Sequence, residues 1–495
     1  MLLAENKERR VASNVIAGIF QTLISALLLL LLYRFLLDHL GSSALGLWSL
    51  FVALFSLSKI VDVGFTGAGL KLMAESMARE EFNDARCYAR LSIMGTGILT
   101  IPVIVLFTFL LHEFGHGDHV EIWSILTIGL AVWISFIVQS LRSGIDALHR
   151  MDLKHATVSL QALILYVLCL YLVPKYEWEG LLIAYLVSTC FSGLILGIIL
   201  WKLWTKVPFG GPETQFSTLR KSMIKYGLPF QLTSISVQFY DPVTKYFLAT
   251  FGTLSDVGWY EMASRLVLQF RALQVSAMEV MVPYVAANKT ESVNQDIAGI
   301  YLPAVRLFLT VGVPLFSSFI VLVPFISYVW IGSENVQFIL FSQILIVAWT
   351  INTFSTPAYF FSQGQGRQRW TLFAHVLIAF LNCLFAILLG SYFGAVGVVL
   401  GFFWALIIGS VIQMMGFHFD NKVNFGALNQ NKMLVRSAMI KLLACSICVW
   451  YYIQSYFSLW SIYMIGISSA VIFGLLPFLE REVRSVLSRI LHRVK

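Results

Sequence analysis

The chain has 495 residues, of which 58% are hydrophobic and only 12% charged, with a formal net charge of +8. A soluble protein of this length would carry about twice that charged fraction, and apolar runs of about 20 residues recur throughout, so the chain reads as a polytopic membrane protein. Its basic residues sit in particular loops, which excludes a nucleic-acid reading. Five of its six cysteines lie inside apolar segments and Cys87 in a basic loop, and no disulfide framework or zinc site is expected.

About fourteen apolar spans are predicted, at roughly 12–36, 43–70, 90–111, 121–141, 157–174, 179–201, 227–251, 257–286, 301–328, 335–361, 371–391, 394–417, 435–457 and 459–479. The first is too long for a signal peptide and is expected to stay in the chain. Span 1 ends near Leu37, with Arg34 in its last turns, and a Gly/Ser turn leads into span 2. Near the middle of span 2 sits Lys59, with Asp62 one helical turn on. A charge at that depth costs roughly 2.5 to 3.5 kcal/mol, so it is expected to face a bundle interior or a water-filled cavity.

Span 3 runs into His112–His116, which reads HEFGH, a literal H-E-x-x-H. Two His one turn apart with a Glu between them suit a zinc protease. Gly115 and Gly117 weaken the helix that would hold them, so a polar outward loop is the expected reading, and no metal ligands are assigned. The linker between Lys202 and Lys225 holds Pro and Gly that break a helix, and it divides spans 1–6 from spans 7–12.

Past the linker the layout of spans 1 and 2 returns. Adding 211 to Arg34 gives Lys245, and adding 212 to Lys59 gives Arg271. Arg150 and Gly180 recur 217 residues on as Arg367 and Gly397. The expected architecture is therefore all-α, with two pseudo-symmetric six-helix halves (1–205 and 226–418) joined by a cytoplasmic linker (206–225). Two additional helices (419–479) and a basic tail (480–495) complete it. Pro229 and Pro242 both fall in span 7, which is expected to be bent or broken. Basic loops alternate with neutral ones along the chain, which places both termini in the cytoplasm.

Several deep charges have acids at helical spacing: Asp241 with Lys245, Glu261 with Arg265, and Lys59 with Asp62. Each pair suits either a neutralised helix face or a cavity wall. Arg271 has no acid three or four residues away and calls for a partner from another helix, cavity water or a substrate anion. Arg306 lies near the inner end of span 9, where it suits either snorkelling to the interface or a cavity role. Deep cations outnumber deep acids, which favours an anionic ligand. Lys59, Arg271, Lys245, Arg265, Arg306 and Arg34 are thus the candidate substrate-binding cations. Asp62, Asp241 and Glu279 are the candidate acids for a coupling ion.

LG...LGLW entering span 2, DVG..GAGLKLMAE at its inner end and GQGRQR before span 11, set in this layout, resemble the polysaccharide flippases of the multidrug/oligosaccharidyl-lipid/polysaccharide exporter superfamily. The O-antigen repeat-unit flippases are the most similar type. The resemblance implies a non-enzymatic carrier in the bacterial inner membrane. It would flip an undecaprenyl-pyrophosphate-linked oligosaccharide outward by alternating access through a cationic cavity that includes Lys59 and Arg271. It implies no cofactor beyond a coupling ion, H+ or Na+, and a polysaccharide polymerase and chain-length regulator as partners. A lipid II flippase or a cation-coupled drug antiporter of the same superfamily is the alternative. A membrane-embedded glycan polymerase or ligase needs a large outward loop, which this chain lacks.

Overall fold

The computed structural model describes residues 7–56, 65–114, 122–148, 150–211, 214–279, 297–365 and 367–423. These form helices α1 (Lys7–Ser56), α2 (Phe65–Ala78), α3 (Phe82–Phe114), α4 (Ile122–Ala147), α5 (Met151–Trp204) and α6 (Phe216–Gln238). They continue with α7 (Tyr240–Phe251), α8 (Leu254–Glu279), α9 (Ile297–Ile331), α10 (Val336–Gln365) and α11 (Arg369–Asn421). Five of the described helices are long and apolar enough to cross a membrane. The two spans expected at 435–457 and 459–479 lie outside the described residues.

α5 and α11, at 54 and 53 residues, would be about 80 Å long if straight, against a hydrocarbon layer of about 30 Å. Each instead turns back on itself at one non-helical residue. In α5 it is Glu177 (φ 46, ψ −120); in α11 it is Gly394 (φ 60, ψ −141). The two positions are 217 residues apart, the spacing already read between Arg150 and Arg367. Just past each turn a glycine lies against the arm that leads into it. A Cβ on Gly180 would stand 2.5 Å from the Leu172 carbonyl oxygen, and one on Gly397 would stand 2.0 Å from that of Leu389. The same offset of 217 links Gly180 to Gly397 and Leu172 to Leu389. α1 also holds two arms, joined at Gly41 (φ 79, ψ 172), where the sequence puts a Gly/Ser turn.

The chain divides into two compact units, residues 1–245 and 246–495, with the division inside α7. In unit 1, α5 packs against α4 and α1, while α2, α3 and α6 form a second group. Leu72, Met73, Tyr88, Leu219 and Met223 meet in the core of that second group. Residues 205–211 and 214–215, between α5 and α6, are non-helical and are tied to the start of α3. Arg86 donates to the carbonyls of Val207 (2.6 Å) and Trp204 (3.1 Å), and Asp84 accepts from Thr214 Oγ1 (2.5 Å). The ladder breaks again at Phe239, so Pro242 falls in the first turn of α7, where its missing N–H costs nothing.

In unit 2, α10 is the central helix and packs against α8, α9 and α11. Phe270 on α8 stacks on Phe319 of α9, with centroids 4.5 Å apart. Tyr301 on α9 bonds His418 of α11 at 2.9 Å. The two arms of α11 are drawn together by Gly401, Gly409 and Gly416, at each of which an added Cβ would overlap the opposite arm. Small residues on one helix face let two backbones approach in this way inside a membrane.

A candidate anion site around Arg271

On α8, Val267 is buried and the half-buried Phe270 and Arg271 make contacts with α9 and α10. Arg271 stands seventeen residues after Leu254, about 26 Å along the helix, past its midpoint. Asn352 is sixteen residues after the start of α10, and Ser410 is sixteen after the Gly394 turn. Three helices therefore bring these residues to one level. The Arg271 guanidinium donates to Asn352 Oδ1 at 3.1 Å. Asn352 donates in turn to the Ser410 hydroxyl at 2.8 Å, and Ser410 to the Leu406 carbonyl at 2.7 Å.

The face of the guanidinium lies over Trp349, 4.3 Å from the ring centroid. The Tyr359 ring meets the His375 imidazole edge-on at 6.3 Å, and both are near enough to Arg271 to feel its charge. Every described contact of Arg271 is thus neutral, and no carboxylate among the described residues pairs with it. Its Nε is buried and has no hydrogen-bond partner. An amide and an aromatic ring orient the cation, and a cation–π contact of this kind is worth about 2 kcal/mol when desolvated, but neither cancels its charge. The arrangement can take an anion with two acceptor oxygens along the edge of the guanidinium fork.

The other candidates divide into two groups. Lys245 is buried and bonds Asp241 at 2.5 Å; Arg265 bonds Glu261 at 2.7 Å; Arg34 bonds Asp38 at 2.8 Å. All three pairs are one turn apart on one helix. Lys59 and Asp62 lie outside the described residues. Arg306 falls within α9 and Glu279 ends α8, but their side chains lie outside the described residues, as does His116 of the HEFGH run. Among the described residues no cluster of three or more His, Cys, Asp or Glu is suited to a metal. Sequence reasoning missed Trp349, Asn352, Tyr359, His375 and Ser410. The one signal for Asn352 was a primary amide in the middle of an apolar run.

The chain matches the polysaccharide biosynthesis protein family over residues 9–289. Among solved structures it is similar to the lipid II flippase MurJ in an inward closed conformation. The TM-score there is 0.68 at 16% identity, covering 97% of this chain and 99% of that one. It is similar also to an inward-facing multidrug resistance transporter of the MATE family, with TM-score 0.58 at 16% identity, covering 84% and 99%. A third likeness is to a transporter of the same superfamily from Pyrococcus furiosus described as having a binding pocket of reversed polarity. Its TM-score is 0.58 at 15% identity, covering 83% and 95%. No match was found among curated proteins. The family match covers more than half of the chain, and the structural likeness covers nearly all of it. The chain belongs to the polysaccharide biosynthesis protein family, and is a multi-pass membrane transporter with the fold shared by the lipid II flippase and the multidrug exporters.

Proposed function

We propose that this transporter flips an undecaprenyl-pyrophosphate-linked oligosaccharide, such as an O-antigen repeat unit, from the cytoplasmic to the outer leaflet of the bacterial inner membrane. The observation that carries the reading is Arg271: a deep guanidinium held by neutral partners, with a buried Nε left over. An isolated arginine at bilayer depth costs roughly 2.5 to 3.5 kcal/mol. A pyrophosphate removes that cost by supplying negative charge and many acceptor oxygens. Lys59, at the matching position 212 residues earlier, is the second cation in this reading.

The reading takes fourteen helices in two pseudo-symmetric six-helix halves plus two, with both termini cytoplasmic. Alternating access would come from rocking of the halves. The 217-residue recurrence of the α5 and α11 turns supports the repeat. Lys245, Arg265 and Arg34 already have local acids and serve as supporting cations; Arg306 joins them. Asp62, Asp241 and Glu279 are the acids open to a coupling H+ or Na+. A polymerase and a chain-length regulator would receive the product. Flipping of lipid II is the second reading, favoured by the near-complete overlap with MurJ.

The test is complementation of an export-deficient strain, with membrane protein level as control. Arg271→Ala and Lys59→Ala should each abolish surface-glycan export at normal protein level, and Arg271→Lys should retain part of it. Normal export from the double alanine variant would end the cationic-site reading. Rescue of a strain lacking its lipid II flippase, without rescue of glycan export, would select the second reading.

A further inference from the structure

The linker after α5 and the start of α6 carry charge and exposed apolar surface that the transport reading does not use. α5 is apolar enough to cross a membrane and ends at Trp204. The linker that follows is held close to that end. Besides its bonds to Trp204 and Val207, Arg86 donates to the Pro208 carbonyl at 3.3 Å, and its guanidinium lies over the Phe209 ring, 3.9 Å from the centroid. The Asn83 N–H bonds the Gly210 carbonyl at 3.1 Å. Phe209 nevertheless remains 84% exposed. On α6, Leu219 and Met223 are buried in the core shared with α2 and α3. The other faces of its first turns are open. Phe216 is 56% and Ile224 41% exposed, and Arg220, Lys221 and Lys225 are exposed as well. At 3.6 residues per turn, Phe216, Arg220 and Ile224 form one strip and Ser217, Lys221 and Lys225 the next.

Apolar side chains set among cations on one helix face suit a helix lying in the membrane–water boundary. There the apolar groups enter the edge of the acyl layer and the cations meet lipid phosphates. The charge is one-sided: from Trp201 to Lys225 the chain has Lys202, Lys206, Arg220, Lys221 and Lys225 against the single acid Glu213. Glu80 and Glu81 border the linker at Gly211, so the uniformly basic surface is that of α6. The same charge argues against other occupants. The tail 480–495 holds Arg481, Arg484, Arg489, Arg493 and Lys495 against Glu480 and Glu482, and a second copy of α6 would bring the same cations. We propose that the start of α6 (216–225), with Phe209 of the linker, is a surface that binds the anionic phospholipids of the leaflet it faces. The surface is separate from Arg271 and does not depend on which lipid is transported.

The experiment uses the full chain in neutral detergent, with an environment-sensitive fluorophore on Ser217→Cys and the native cysteines replaced. Phosphatidylglycerol and phosphatidylcholine are titrated in separately, and the shift of the label reads binding. Phosphatidylglycerol should shift the label at low salt and phosphatidylcholine should not, and added salt should weaken the response. A basic residue near an anionic surface contributes about fivefold in affinity. The combined variant Arg220→Gln/Lys221→Gln/Lys225→Gln should therefore bind phosphatidylglycerol about a hundredfold more weakly, with an unchanged thermal midpoint because all three side chains are exposed. Phe216→Ser/Ile224→Ser should also weaken binding while leaving its salt dependence in place. Equal shifts with the two lipids, or a triple variant that binds like the parent, would overturn the surface. So would inorganic pyrophosphate displacing the lipid at equal concentration, since the patch would then take a soluble anion as readily as a membrane.

Discussion

Each unit contains a guanidinium tied to a primary amide, which is tied to a hydroxyl on another helical arm. In unit 1 the series is Arg142, Gln161, Thr189; in unit 2 it is Arg271, Asn352, Ser410. In both, the hydroxyl ends the series on its own helix, Thr189 on the Tyr185 carbonyl and Ser410 on that of Leu406. In both, the arginine Nε is left over. The difference is the acid. Asp146 lies one turn from Arg142, whereas among the described residues Arg271 has no carboxylate to pair with. Two clusters of one construction thus differ by one side chain, and the one without an acid is the one to which the proposed function gives an anion.

The sharpest way to break that difference is to supply the missing acid. Asn352→Asp would set a carboxylate where the amide oxygen now accepts from Arg271 at 3.1 Å. A buried pair would form in place of the ligand contact. Glycan export, and binding of a polyprenyl pyrophosphate, should fall by roughly ten- to a hundredfold, the range expected for loss of a charge-assisted hydrogen bond. Asn352→Ala removes the orienting bond but leaves the charge, and should cost less. Equal losses in the two variants would mean that Asn352 matters only for packing.

The two hairpins offer a second comparison, in stability. Gly397→Ala sets a Cβ 2.0 Å from a backbone oxygen, and Gly180→Ala sets one 2.5 Å from its counterpart. Neither oxygen can turn aside as a side chain would, so the arms must separate. Overpacking of this kind costs about 1 to 3 kcal/mol and occasionally more. Gly397→Ala should lower the thermal unfolding midpoint of the purified protein more than Gly180→Ala does. Unchanged midpoints in both would mean that the arms are looser than their backbone spacing implies.

Much of this layout was legible in the sequence, and the unread part has a physical pattern. Apolar length marks a span, and Gly or Pro marks its end, so the helices and the turn at Gly41 could be read directly. The 217-residue offset was visible because Arg150, Arg367, Gly180 and Gly397 carry it. Arg271 stood out because a lone cation in an apolar run is costly. Its partners did not, because Asn352, Trp349 and Ser410 come from α10 and α11, and nothing in their spacing points to α8. Arg142 looks in the sequence like one more cation of a basic loop, because Arg150 and Lys154 follow it closely. Its bond to Gln161 depends on how α4 packs on α5, which periodicity does not specify. The Arg34–Asp38 pair, by contrast, is local and follows from a spacing of four residues on one helix.

The smallest expected effect lies at the two turns. Glu177 and Gly394 occupy corresponding positions with similar backbone angles, both with positive φ. A glycine takes that conformation freely, whereas a residue with a Cβ is strained there. A Cβ at Gly394 would meet only the Phe251 carbonyl oxygen, at an ordinary 3.4 Å, so its conformation and not its space demands glycine. The exchange should therefore have opposite signs at the two sites. Glu177→Gly should stabilise the protein by about 1 kcal/mol, even after allowing for the greater freedom glycine gives the unfolded chain, and Gly394→Glu should destabilise it by about 1 to 2 kcal/mol. Thermal unfolding of the two variants beside the parent measures both. If Glu177→Gly lowers the midpoint instead, the carboxylate at the α5 turn makes a contact worth more than the strain it imposes. The α5 and α11 turns would then be alike in backbone only.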